Sequence, residues 1–267
     1  IEPGDNATTS MVAAGKADFG ISYQEDVTYA LTSEDPLPIK TIATIIQHNT
    51  SGFVSLKSAN INSVKDFEGK TYAGWGAPSE EAVIKAVMNE VGADFSKLNI
   101  VGSDGSGIAG LSDEVGKNKV NLGWEFYGWA IIKALQDGYD LNYMPLADLD
   151  NRLDYYTPVI ITNKKMIEKN SDTVKKFMEA TKKGYEYAID HPSKAAEILH
   201  EDALSDTDLK FLKESQKYLS SQYAKDADSW GVMKDSVWDN YTDFMYETGL
   251  ISQKIDAKDQ YTNEFVK

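Results

Sequence analysis

Two tryptophans, a tyrosine, a phenylalanine and a carboxylate fall within seven residues in the segment GWEFYGW, residues 123–129. Trp124 and Tyr127 can stack on a flat ring, and a good aromatic contact is worth about 0.5–1.5 kcal/mol beyond area burial. Glu125 can accept a pair of N–H groups from the edge of such a ring. The segment predicts a site for a flat nitrogenous solute. The alternative is that the indoles are core residues, as aromatic side chains usually are, and that Glu125 is a solvated helix start.

A second aromatic segment, YAGWGAPSEE over residues 72–81, has the pattern of a strand that turns into a helix. Gly76 follows Trp75 and would let the backbone approach a ligand closely. The first helical turn would leave N–H groups free to donate, and its dipole explains Glu80 and Glu81. The segment lacks the glycine and lysine spacing of a nucleotide-binding loop. It predicts either a turn that stacks on a ligand or a tight turn with a packed tryptophan.

Polar side chains follow two further predicted strands. The first group is SYQED, with Tyr23, Gln24 and Glu25, and the second is QHNTSG, with His48, Asn49 and Thr50. Amide, hydroxyl, carboxylate and imidazole groups can fix the polar edges of a ligand. The alternatives are that the acidic residues after Gln24 begin a helix and that residues 49–52 form a turn.

Two tyrosines, Tyr155 and Tyr156, precede a long apolar strand and can either line a cleft or pack at a sheet edge. Arg152 is the single arginine of the chain, and it stands beside Asp150 and Asp154. We expect it to pair with one of these carboxylates rather than to bind an anion.

Composition disfavours nucleic-acid binding and several kinds of catalytic and metal site. The chain has 267 residues, a formal net charge of −15 and no cysteine. The negative charge disfavours a duplex or an anionic bilayer. The missing cysteine removes thiol nucleophiles and thiolate metal sites, and the three histidines are widely spaced. No serine lies in a nucleophile elbow. We expect no catalytic residue, no metal and no cofactor.

The elements that would position these residues alternate between strands and helices up to about residue 163. Short apolar runs predict strands at 17–22, 41–47, 52–56, 71–75, 98–102, 120–124 and 156–163. Helical periodicity predicts helices at 78–91, 127–138, 171–190, 193–200, 206–219 and 234–247. This order indicates an α/β fold with parallel sheets, followed by a helical C-terminal part.

Six segments, taken in order, resemble the substrate-binding proteins of ABC importers for thiamine pyrimidine precursors, of the formylaminopyrimidine-binding type. They are GKADFGISYQEDV, TIIQHNTSGFVSLK, DFEGKTYAGWGAPSEEAVIKAVM, GWEFYGW, LDYYTPVIITN and KGYEYAIDHP. The wider group resembles thiamine-pyrimidine synthase in fold. The resemblance implies a two-lobed periplasmic binding protein type II fold that closes on its ligand. Lobe one would be residues 1–53 and 159–267, and lobe two residues 54–158.

The resemblance also implies a set of ligand contacts. These are Tyr23, Gln24, Glu25, His48, Asn49, Thr50, Trp75, Gly76, Trp124, Glu125 and Tyr127, with Tyr155 and Tyr156 as weaker members. Relatives of this type open with about forty more residues, which form a strand, a D-W-x-x-N loop and a helix. We therefore expect an N-terminally truncated form. In it, either another segment fills the strand position inside lobe one, or the open edges are repaired.

The function that the resemblance implies is capture of an aminopyrimidine outside the cytoplasm and delivery to the membrane subunits of an ABC importer. The ligand would be of the formylaminopyrimidine or hydroxymethylpyrimidine class, the protein monomeric and, at full length, tethered to the membrane. One alternative keeps the importer but changes the ligand to riboflavin, another flat heterocycle or an aromatic sulfonate. The other is a thiamine-pyrimidine synthase, which the lack of cysteine disfavours.

Overall fold

The computed structural model describes residues 7–116 and 119–266, which fall into two compact units. Unit 1 is Ile1–Asn49 with Asp154–Lys267, and unit 2 is Thr50–Leu153. The chain therefore passes into unit 2 after residue 49 and returns after residue 153. The sequence predicted these crossings after residues 53 and 158.

Unit 1 contains a three-stranded sheet and eight helices in its described residues. The strands are β1 (Phe19–Ser22), β2 (Ile39–Thr44) and β8 (Val159–Asn163). The helices are α1 (Thr8–Ala13), α2 (Gln24–Thr32), α6 (Lys164–Lys169), α7 (Ser171–Asp190), α8 (Pro192–Asp202), α9 (Leu209–Ser220), α10 (Asp235–Glu247) and α11 (Ala257–Gln260). The helical C-terminal part is thus confirmed, and α7 has the predicted bounds.

Strand β8 is the centre of this sheet, because the order is β1-β8-β2. Its apolar run is buried on both faces, as is typical of a central strand. Ile160 packs into the apolar cluster that contains Val174 of α7. Ile161 packs into the cluster on the other face, with Trp238 of α10. The sequence predicted a vacant strand position inside this sheet. Among the three described strands no position is vacant, because β8 pairs with both β1 and β2.

Unit 2 contains a five-stranded sheet in the order β5-β4-β6-β3-β7. Its elements are β3 (Ser51–Leu56), β4 (Thr71–Gly74), α3 (Pro78–Glu90), β5 (Asn99–Gly102), β6 (Leu122–Phe126), α4 (Ile132–Gln136), β7 (Leu141–Pro145) and α5 (Leu146–Leu149). Helix α3 begins with proline in its first turn and buries one apolar face, as its sequence predicts. The predicted helix at 127–138 is present, but its first turn, Tyr127–Ile131, is a π-helix.

The prediction of parallel sheets is wrong for one strand in each unit. β3 runs antiparallel to both of its neighbours, β6 and β7, and β8 runs antiparallel to β1 and β2. These are the strands with which the chain enters unit 2 and returns to unit 1. Neither is joined to a neighbour by a helical crossover within its own sheet, so the rule that makes such neighbours parallel does not apply. The remaining pairings in unit 2, of β4 with β5 and β6, are parallel.

Candidate functional site

The candidate residues of unit 2 gather at one edge of its sheet. β4 and β6 are parallel, so their carboxyl ends lie side by side. Trp75 directly follows β4, and Glu125 is the penultimate residue of β6. The carboxyl ends of parallel strands are where α/β sheets place their ligands. β3 runs the other way, so its first residue, Ser51, pairs with Phe126 at this same edge.

Trp75 and Trp124 form a contact pair at this edge. Their ring centroids are 5.2 Å apart and their planes are inclined by 63°. Trp75 is 61% exposed, and an exposed indole of this size is unusual in a folded protein. Trp124 is half-buried and packs against the buried ring of Phe53 at 5.7 Å. Trp124 therefore anchors the pair, and Trp75 offers an aromatic surface to solvent.

The turn after β4 is held by the carboxylate of Glu80, a residue whose place in the sequence we attributed only to the helix dipole. Glu80 is 3% exposed and accepts the backbone N–H of Gly76 at 2.9 Å and that of Trp75 at 3.3 Å. It also accepts the hydroxyl of Tyr72. Gly76 has φ +82°, which favours glycine there. We predicted that N–H groups of this turn would be free for a ligand; Gly76 instead gives its N–H to Glu80.

Glu125 lies on the opposite face of β6 from Trp124. Trp124 pairs with Phe53 and contacts its ring, which fixes the face of both, and side chains alternate along a strand. The Glu125 Oε1 lies near the turn at Gly107, where an added Cβ would be 3.6 Å away. Across residues 7–116 and 119–266, no group donates a hydrogen bond to this carboxylate. Burial raises the pKa of Glu125 above its usual range.

Tyr127, close to Glu125 in the chain, is joined to Thr50 by a backbone hydrogen bond. The Tyr127 N–H donates to the Thr50 carbonyl at 2.9 Å, and the Tyr143 hydroxyl donates to the same oxygen at 2.7 Å. The rings of Tyr127 and Tyr143 meet edge to face at 5.3 Å. Thr50 is buried, and its carbonyl takes part in this internal contact. Tyr143 was missed because β7 was not predicted.

In unit 1, the polar group after β1 divides into an exposed ring and two anchored side chains. Tyr23 is 49% exposed and immediately precedes α2. Gln24 is fully buried, and its amide accepts the Tyr156 N–H at 2.8 Å and donates to the Val237 carbonyl at 3.2 Å. Gln24 therefore links α2 to distant segments, and both ends of its amide already have protein partners. The alternative that this segment begins a helix is confirmed by α2.

Glu25, Tyr155 and Tyr241 form a second cluster in unit 1. The Tyr241 hydroxyl donates to Glu25 Oε2 at 3.2 Å, and its ring stacks on Tyr155 with centroids 4.1 Å apart. Burial raises the pKa of Tyr155, and the negative charge of Glu25 adds to this effect. Tyr241 lies far along the chain in α10, and its role as the partner of Glu25 could not be read from the sequence.

Tyr156 belongs to the core rather than to an accessible site. It is 1% exposed, and its hydroxyl accepts the Lys234 N–H at 2.9 Å. Burial raises its pKa to about 12. The sequence offered packing at a sheet edge as the alternative, and the structure instead places the Tyr156 ring in the apolar cluster that contains Trp238.

His48 is held between two carboxylates of unit 1. Its Nδ1 lies 2.6 Å from Asp154 Oδ2, and its Nε2 lies 3.5 Å from Asp226 Oδ2. Asp154 also accepts the Asn49 N–H at 2.8 Å. The hydrogen bond that His48 donates to Asp154 raises the pKa of His48, against the lowering effect of burial. Both ring nitrogens face acidic groups, and the buried Asn49 shares Asp154 with His48.

The expected pairing of the single arginine is confirmed. Arg152 Nε lies 3.0 Å from each carboxylate oxygen of Asp150, and its Nη2 lies 2.6 Å from Oδ2. Within the described ranges, no group of three or more acidic or histidine side chains could hold a metal ion. The same ranges contain no helix with the length and apolarity needed to cross a bilayer.

Three named relatives align with this chain. A formylaminopyrimidine-binding protein of Halalkalibacterium halodurans is 25% identical over 71% of this chain and 56% of that protein. A riboflavin-binding protein of Chloroflexus aurantiacus is 25% identical over 88% of this chain and 67% of its own length. A 4-amino-5-hydroxymethyl-2-methylpyrimidine phosphate synthase of Legionella pneumophila is 20% identical over 100% of this chain and 81% of the synthase. The chain thus matches little more than half of the first relative.

Solved structures and a family profile agree with the fold inferred above. The alkanesulfonate-binding protein of Xanthomonas axonopodis pv. citri superposes with a TM-score of 0.69 at 11% identity, covering 95% of this chain and 83% of that one. At this identity the likeness concerns the fold alone, and it confirms the expected α/β periplasmic binding protein type II fold. The family profile described as NMT1/THI5 like matches residues 1–195. The chain therefore belongs to the NMT1/THI5-like family.

Proposed function

We propose that this protein captures an aminopyrimidine precursor of thiamine and delivers it to an ABC importer. The observation that carries the proposal is the exposed indole of Trp75, held against Trp124 at the carboxyl edge of the unit 2 sheet. Glu125, a half-buried carboxylate to which no described group donates a hydrogen bond, lies at the same edge. A flat ring with an exocyclic amine matches these two features together.

The chemistry of an aminopyrimidine fits the two faces of β6. A ligand that lies across the end of this strand stacks on Trp75 from one side and directs its amine toward Glu125 on the other. Stacking contributes about 0.5–1.5 kcal/mol, and a hydrogen bond to the charged carboxylate about 1.5–3 kcal/mol. A hydrogen-bond donor on the ligand would also offset the desolvation cost that raises the pKa of Glu125.

An anionic ligand fits this edge less well than an amine. A sulfonate needs cationic or N–H donors. The Arg152 guanidinium is paired with Asp150, and the N–H groups of Trp75 and Gly76 are taken by Glu80. Glu125 adds a negative charge at the same edge. The observations therefore favour an amine-bearing heterocycle over a sulfonate.

The importer role rests on the resemblance and on the formylaminopyrimidine-binding relative. A protein with this role acts outside the cytoplasm, meets the membrane subunits of the importer, works as a monomer and performs no reaction. The Legionella relative, which is named as a synthase, supports an enzyme as the second candidate. The chain has no cysteine, which disfavours the cysteine-dependent chemistry implied by the resemblance to thiamine-pyrimidine synthase.

Calorimetric titration with four compounds tests the proposal: formylaminopyrimidine, hydroxymethylpyrimidine, riboflavin and an alkanesulfonate. We expect a dissociation constant between nanomolar and micromolar for one of the pyrimidines. Glu125→Gln should raise it about tenfold or more, the loss of a charge-assisted bond. Glu90→Gln, at the exposed end of α3, is the matched control and should leave it unchanged.

Each other outcome selects a different function. No heat with either pyrimidine at millimolar concentration overturns the ligand assignment, and tight binding of riboflavin alone replaces it. Incubation with pyridoxal phosphate tests the enzyme candidate, since a lysine Schiff base would give a new absorbance band. Unchanged affinity in Glu125→Gln removes this residue from the proposed site.

A further inference from the structure

The Glu80 carboxylate is a buried acid that gathers three donors from the turn carrying Trp75. It accepts the N–H groups of Gly76 and Trp75 and the hydroxyl of Tyr72. A carboxylate removed from water is costly unless it is fully hydrogen-bonded. Here its partners come from β4 and from the two residues that follow it, so the charge is compensated by the turn itself.

The local sequence is built around this contact. Gly74 is the last residue of β4, and a Cβ added there would overlap the Glu80 carboxylate. The absence of a side chain at Gly74 therefore lets the carboxylate lie directly against the backbone. Tyr72, two residues earlier, points to the same side of the strand and is fully buried. Burial and the bond to Glu80 both raise the pKa of the Tyr72 hydroxyl, which keeps it a donor.

Glu81, the next residue of α3, makes a clear contrast. Its side chain is exposed and that of Glu80 is buried, although the N–H groups of both residues donate to the Ala77 carbonyl. Both acids lie in the first helical turn and interact alike with the helix dipole. A dipole effect does not require burial or bonds to Trp75 and Gly76, so Glu80 has a role beyond it.

We propose that Glu80 is a positioning residue that fixes the Trp75 backbone and thereby holds its exposed indole against Trp124, ready to stack on a flat ligand. This inference rests on the proposed function, because it assigns Trp75 to ligand stacking. Trp75 is 61% exposed, so its ring is held in place chiefly from its backbone and from one ring contact. A freely moving indole would lose side-chain and backbone freedom on binding, and a fixed one has already lost it.

Two measurements on Glu80→Gln, with Glu81→Gln as the matched control, test the inference. Glutamine keeps the size of the side chain but offers one acceptor oxygen to three donors. In the ligand-free protein, hydrogen exchange followed by NMR should show the Trp75 and Gly76 amides exchanging about tenfold faster in Glu80→Gln. The affinity for the pyrimidine bound by the wild type should fall at least fivefold. Glu81→Gln should change neither quantity by more than about twofold.

Tyr72→Phe is the second variant, which keeps the carboxylate and removes one of its donors. It should lower the affinity by a smaller factor and leave the Gly76 amide protected. If Glu80→Gln fails to fold, this variant decides: an affinity equal to that of the wild type overturns the inference. Unchanged affinity in a folded Glu80→Gln overturns it as well. Faster exchange throughout β4, β6 and α3 with unchanged affinity shows a structural role only, which also overturns it.

The failure of the proposed function gives a different result. If the wild type binds neither pyrimidine, the function itself is overturned. The exchange measurement needs no ligand and still decides whether Glu80 fixes the turn. The two failures are therefore distinguishable within one set of samples.

Discussion

The contact of His48 with Asp154 predicts that the stability of unit 1 depends on pH in a defined direction. The hydrogen bond that the imidazole donates to Asp154 is the largest influence on His48 and raises its pKa. A raised pKa in the folded state means that folding favours the protonated imidazole. The stabilisation is therefore fully present below the pKa of His in the unfolded chain, about 6.5, and is lost as the pH rises through the higher folded value.

The size of this effect follows from the exposure of the two side chains. A hydrogen bond between charged partners contributes about 1.5–3 kcal/mol when it is shielded from water. The His48 and Asp154 side chains are 34% and 26% exposed, so solvent screening reduces the contribution to about 1 kcal/mol. In a protein of this size, such a change lowers the melting temperature by about 2–4 °C.

A double-mutant cycle with His48→Gln and Asp154→Asn measures the contribution. Urea denaturation at about pH 5.5 and about pH 8.5 should give a coupling free energy of about 1 kcal/mol at the lower pH and less than half of that at the higher. Asn at position 154 keeps an acceptor for the Asn49 N–H, so the cycle isolates the charge. A coupling that is equal at both pH values, or larger at the higher one, refutes the reasoning.

Asp226 supplies the matched control for this cycle. Its Oδ2 lies 3.5 Å from the other nitrogen of His48, but its side chain is 71% exposed. Surface pairs of this kind contribute about 0–1 kcal/mol. We expect Asp226→Asn to change the unfolding free energy by less than a third of the effect of Asp154→Asn at the lower pH. An equal effect would mean that the two carboxylates share the charge.

Two further predictions concern buried contacts. Gln24→Ala should lower the unfolding free energy by about 2–4 kcal/mol in urea denaturation, because it leaves the buried Tyr156 N–H and the Val237 carbonyl without their partner; a loss below about 0.5 kcal/mol contradicts the structural role. Gly52→Ala should cost about 1–3 kcal/mol, since the added Cβ would overlap the Met144 carbonyl of β7. Gly102→Ala is its control: nothing lies within 4 Å of its Cβ position, so thermal unfolding should be nearly unchanged, and similar losses in both variants contradict the prediction.

Local patterns predicted the elements well where a single segment decides the outcome. Helix α7 follows from its amphipathic periodicity, and α3 from its first-turn proline and buried apolar face. β7 was missed because LNYMP ends in proline and carries no clear alternation of apolar and polar residues. The direction of β3 and β8 could not be predicted, because it depends on how the chain passes between units.

Only some of the contacts among the candidate residues could be predicted, because most of them join distant segments of the chain. The contact between Trp75 and Trp124 joins two segments that the sequence had already singled out. The partner of the Gln24 amide could not be predicted, because Tyr156 lies 132 residues further along the chain. Glu80 and Glu81 look alike in the sequence, and their burial in the structure shows that Glu80 is the one that lies against Gly74 and the turn. Such partnerships over distance are decided by packing, which one sequence does not display.

The central position of β8 also determines when the sheet of unit 1 can assemble during synthesis of the chain. Phe19 of β1 pairs with Thr162, and Ile39 of β2 pairs with Asn163. While the ribosome is still translating residues 50–153, β1 and β2 have no strand between them. Unit 2 is one continuous stretch and can collapse as it emerges, whereas the sheet of unit 1 cannot be completed before β8 has been made. Until then β1 and β2 lack the strand with which both of them pair, and their edges are open to mispairing.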